Sequence, residues 1–72
     1  MKKPIHTKEY AVFVGRLRTA RLEAGFTQAQ VAKKLRRPQP HISYVENGQQ
    51  RLDMVELRRL AKIYKKDINY LL

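Results

Sequence analysis

Between Glu23 and Glu46 the chain carries no acidic residue, yet Lys33, Lys34, Arg36 and Arg37 stand close together inside that interval. A stretch of this sign approaches phosphates without repulsion and releases their counterions on contact. The bias extends to the whole chain, in which 16 Lys and Arg face 6 Asp and Glu for a net charge of +10. That imbalance points to a polyanionic partner, nucleic acid before an anionic membrane surface. Catalytic chemistry finds no footing. There is no Cys, which removes disulfides, thiolate zinc sites and cysteine nucleophiles. His6 and His41 have no coordinating cluster around them, so neither suggests a metal. The carboxylates form no evident pair, and neither a glycine-rich phosphate loop nor a Ser/His/Asp constellation is present. We therefore expect no enzyme, no cofactor and no metal.

At 72 residues the chain forms one small domain, burying only about 60% of its extended surface on folding. Its longest apolar run, Tyr10–Val14, falls far below the roughly 18 residues a membrane span needs. Lys2-Lys3 is not followed by an apolar run of signal-peptide length. The expectation is a cytoplasmic, nucleoid-associated binding module with no membrane partner.

The elements that must position these side chains are helical throughout. Residues 1–6 have no period and read as a flexible basic arm, ahead of a domain over 7–72. Thr7 is a natural N-cap, apolar residues then recur at 10, 13, 14, 17, 20 and 24, and Gly25 supplies a C-terminal stop. This predicts a helix over about 8–24. Thr27 opens a second over about 28–35, ended by Arg36-Arg37-Pro38. Pro40 suits a first helical turn, and Asn47-Gly48 stops a third helix over about 39–47. Asp53 and Glu56 resemble a capping box at the head of a fourth, about 53–65, and Asp67 caps a final turn at 68–72. No strand pattern is present. The fold class is all-α.

The segment Gln28–Asn47 has the layout of a helix-turn-helix: Val31, Leu35, Ile42 and Val45 where two helices would meet, and small Ala32 where their backbones come closest. The run Gly25-Phe26-Thr27-Gln28, Val31-Ala32, Leu35, Gln39, Ile42-Ser43, Val45-Glu46-Asn47-Gly48, Leu57, Leu60-Ala61 and Tyr70-Leu71-Leu72 resembles the Cro/phage-repressor-type helix-turn-helix family, often called the XRE family. The resemblance covers about Leu17 to Leu72. It implies a compact, lambda-repressor-like five-helix bundle whose third helix lies in the major groove. The chain departs from the family pattern at Arg36 and Lys65, where Gly is usual, and at Arg37, where an apolar residue is usual. A non-Gly residue in the left-handed region costs on the order of 1 kcal/mol, so we expect a turn re-shaped around Pro38.

By resemblance Gln39, Pro40 and Tyr44 face bases, flanked by Ser43. Gln39 can pair bidentately with adenine, Pro40 offers apolar contact, and the Tyr44 hydroxyl can reach a phosphate or base. Gln28, at a helix N-terminus, favours a phosphate. Arg36, Arg37, Asn47 and Arg51 are the remaining phosphate candidates. Arg21 and Glu46 match family positions that pair across helices. Few base contacts favour a homodimer on a palindromic double-stranded DNA operator, with Ile68, Tyr70, Leu71 and Leu72 as the expected dimer surface. The leading expectation is a sequence-specific transcriptional regulator, a repressor by class. Competing expectations are an interaction or coactivator module that does not read DNA, or an antitoxin-type autorepressor that also binds a toxin.

Overall fold

Side-chain caps set where four of the five helices begin. In the computed structural model, which describes residues 7–72, Thr7 Oγ1 accepts from the Tyr10 amide at 3.0 Å and starts α1, Lys8–Glu23. The proposed arm at 1–6 lies outside the described residues. Thr27 and Gln30 form a reciprocal capping box at the head of α2, Gln28–Leu35. Pro38 precedes α3, Gln39–Glu46, with no side-chain cap. Pro40 sits in its first turn, where a missing N–H costs nothing. Asp53 accepts from the Glu56 amide at 2.8 Å and opens α4, Met54–Tyr64. Asp67 caps the short α5, Ile68–Leu71. All elements among the described residues are helical.

One closing motif recurs at the other ends. After α1, Gly25 at φ 80° lets the amides of Gly25 and Phe26 reach back to Leu22 and Arg21. This is the paired 5→2 and 6→1 arrangement that satisfies a helix's last carbonyls. The same pairing closes α3 with Gly48 at φ 72°. It closes α2 and α4 with Arg36 at φ 59° and Lys65 at φ 56°. The expected re-shaping around Pro38 therefore does not occur. Arg36 takes the left-handed conformation itself, because the motif places two amide hydrogen bonds and drives α3 back onto α2.

All five helices contribute to a single core. Leu17 and Ala20 of α1, Val31, Ala32 and Leu35 of α2, and Ile42 and Val45 of α3 meet Leu57, Leu60, Ala61 and Tyr64 of α4. Leu71 of α5 completes it and is fully buried. That corrects one expectation. The sequence pattern puts Leu71 on a dimer surface, but the last helical turn folds it inward to close the core between α1 and α4. Ile68 packs partly against the same core, while Tyr70 and Leu72 stay exposed.

Candidate nucleic-acid interface

The third helix buries Ile42 and Val45 against α2, so the opposite side of its first turns faces outward. There Gln39, Pro40, Ser43 and Tyr44 line one shallow open groove together with Gln28 from the start of α2. Tyr44 is half exposed in it. Asn47 closes the helix end, its side-chain amide 3.4 Å from the Ser43 hydroxyl. Arg51 is exposed in the following loop, its guanidinium carbon 5.8 Å from the centre of the Tyr10 ring, a cation–π distance. The Tyr10 hydroxyl donates to the Gln50 carbonyl at 3.4 Å, tying that loop to α1.

Two carboxylates hold α3 from behind, one at each end. At the C-terminal end, Glu46 Oε2 accepts from Arg21 Nε at 2.7 Å and Glu46 Oε1 accepts from Arg21 Nη2 at 3.0 Å. Only 9% of the Arg21 side chain and 4% of the Glu46 side chain are exposed. Arg21 Nη1 also donates to the Phe26 carbonyl at 2.9 Å. The hydrogen bond to Glu46 raises the Arg21 pKa against the opposing cost of burial, so the guanidinium stays charged. Gln28 Nε2 adds a third donor to Glu46, at 3.1 Å. One N–H of the half-buried Gln28 amide is thus tied to Glu46, while the side chain still lines the outward groove.

At the N-terminal end, His41 is buried and its Nε2 lies 3.1 Å from Glu56 Oε1 of α4. The other carboxylate oxygen lies 3.1 Å from Arg37 Nε in the turn. Sequence reasoning missed this second tie. The Asp53–Glu56 spacing suggested a carboxylate folded back on its own helix cap; Glu56 instead turns toward α3. Arg37 keeps 45% of its side chain exposed, so it can still face solvent beside the turn.

Arg36 is not brought to the groove of Gln39 and Tyr44. It lines a separate depression between α2 and α4. Among the described residues no group of three or more His, Cys, Asp or Glu is placed to hold a metal. No helix among them is long and apolar enough to cross a membrane.

A family model described as a helix-turn-helix domain matches residues 12–67, which takes in α2, α3 and their supports. The chain belongs to that family. No curated protein and no solved structure gives a significant match. In a helix-turn-helix domain the second helix of the pair is the one that enters the DNA major groove. Here that helix is α3, and its outward side carries Gln39, Pro40, Ser43 and Tyr44.

Proposed function

We propose that this helix-turn-helix domain is a sequence-specific transcriptional repressor that reads a palindromic operator as a homodimer. One observation carries the reading: Gln39, Pro40, Ser43 and Tyr44 share one outward groove on α3, beside the N-terminus of α2. Gln39 and Tyr44 supply the hydrogen-bonding groups for base edges, Pro40 an apolar contact and Ser43 a small flank. The start of α2, with Gln28 beside it, seats a phosphate, and Asn47 and Arg51 hold the backbone on the far side of α3. Arg37 adds a cation partly offset by Glu56.

A chain with this few base contacts gains specificity by doubling them across a two-fold axis. Tyr70 and Leu72, 40% and 59% exposed, are the apolar side chains that α5 offers for pairing, with Ile68 at their edge. The buried Leu71 acts only through the core. Self-association in free solution is therefore weak, and cooperativity appears on DNA.

The test is selection of preferred duplexes from a random pool, followed by titration of the best site and a scrambled one. Gln39→Ala costs about 1–3 kcal/mol on the selected site and little on the scrambled duplex. Tyr70→Ser with Leu72→Ser leaves helix content intact and removes cooperative filling of the two half-sites. Equal loss on both duplexes, or no preferred site at all, overturns the reading.

A further inference from the structure

We propose that the groove between α2 and α4 is a second binding site, whose ligand is an acidic protein segment carrying apolar side chains. The groove is lined by Lys34, Leu35, Arg36, Arg59, Lys62 and Ile63. Its four cations are exposed, and among the described residues none of them is within 4.0 Å of a carboxylate. Three carboxylates elsewhere are taken by other cations: Glu46 by Arg21, Glu56 by Arg37, and Glu23 by Lys66. Four cations without a carboxylate partner thus share one concave place, Lys34 with its ammonium 5.0 Å from the centre of the Phe26 ring.

The shape argues for a peptide over a second duplex. Ile63, partly exposed, gives the groove an apolar floor between the cations, with the buried Leu35 beneath it. A phosphate backbone has nothing to lay on such a floor, whereas a Leu or Phe side chain between two carboxylates fits it. Arg36, the residue that closes α2, lines the groove from there. The groove lies at the C-terminal end of α2, while Gln28 and the reading side of α3 lie at its N-terminal end. Across eight residues that separation is about 10 Å. The site is therefore separate from the proposed DNA-reading groove, and it stands or falls without it.

The experiment is a backbone-amide NMR titration of the full chain with a short peptide alternating Glu with Leu. The expected result is shifts concentrated at residues 34–36 and 59–63. Replacing the peptide's Leu by Ser weakens binding at least fivefold, and Arg59→Ser with Lys62→Ser weakens it at least tenfold while thermal melting stays the same. A random duplex, titrated in parallel, shifts the start of α2 and α3. Peptide shifts centred on Gln39, Ser43 and Tyr44 overturn the proposal, as does equal binding of the Ser-substituted peptide. A random duplex that perturbs 34–36 and 59–63 as strongly as the peptide also overturns it, since the groove is then a second DNA contact.

Discussion

The two ends of α3 are both anchored by a carboxylate, but they are anchored differently. At the C-terminal end the pair is dry: Glu46 is bidentate to Arg21 and takes Gln28 as well. At the N-terminal end Glu56 bridges a buried histidine and an arginine that stays 45% exposed. Stranding a buried charge costs far more than losing a wet one, because water can re-solvate only the latter. The difference shows which end can adjust. α3 is clamped at its C-terminal end and held more softly at the end that carries Gln39 and Pro40.

The largest effect that would break this contrast is at Glu46. Glu46→Ala leaves Arg21 charged and buried and costs about 3–5 kcal/mol, enough to unfold much of so small a domain. Arg21→Met combined with Glu46→Leu recovers most of the loss, as read by thermal melting. Equal melting of Glu46→Ala and the parent protein would make the two ends alike. Glu56→Ala removes the partner of His41, whose side chain is 6% exposed, and costs about 1–3 kcal/mol. On DNA, Glu56→Gln keeps an acceptor for His41 but frees Arg37, so the plot of log affinity against log salt steepens by about one unit. An unchanged slope would mean that Arg37 does not face phosphate.

A smaller effect tests the turn before α3. Arg36→Gly relieves the left-handed residue and raises stability by about 1 kcal/mol, while Gly25→Ala at φ 80° lowers it by a similar amount. The smallest effect near neutrality involves Tyr64. Burial pushes its phenol above the ordinary value of 10, with the nearby Glu46 adding to the rise and Arg21 opposing it. The folded state holds that proton more tightly than the unfolded chain does. This contribution is complete below about pH 10 and is lost as pH climbs above it, so Tyr64→Phe flattens the alkaline end of the stability profile.

Helix existence and ends were legible because their causes are local. Thr7, Thr27, Asp53 and Asp67 cap within three residues of themselves, and the helices begin and end within one residue of the expected positions. The grouping of Gln39, Pro40, Ser43 and Tyr44 was legible too, since one short helix puts them on one side. What the sequence hid is non-local. Gln28 turns its amide to a carboxylate 18 positions away, and Glu56 to a histidine 15 positions away. Neither follows from spacing along a single helix. At Arg36 the reverse holds: the local cost is legible, but two closing amide hydrogen bonds and the core of Val31, Leu35, Ile42 and Val45 outweigh it. Leu71 was misplaced because a four-residue terminal helix has too little pattern to show which side faces in.

The anchor at Glu46 also bears on the order of events when the chain folds. Arg21 and Glu46 are 25 residues apart, and Gln28 reaches the same carboxylate from a third helix. The charges cannot be dried until α1, α2 and α3 have all docked, whereas each helix can form and collide earlier through its apolar residues. The expected order is that these hydrogen bonds mature after the rate-limiting barrier, giving Glu46 a φ-value near zero. A conservative change such as Glu46→Gln would appear almost wholly in the unfolding limb of the chevron, leaving the refolding rate nearly untouched. On that order the pair is a latch on the finished domain, setting how long α3 stays docked.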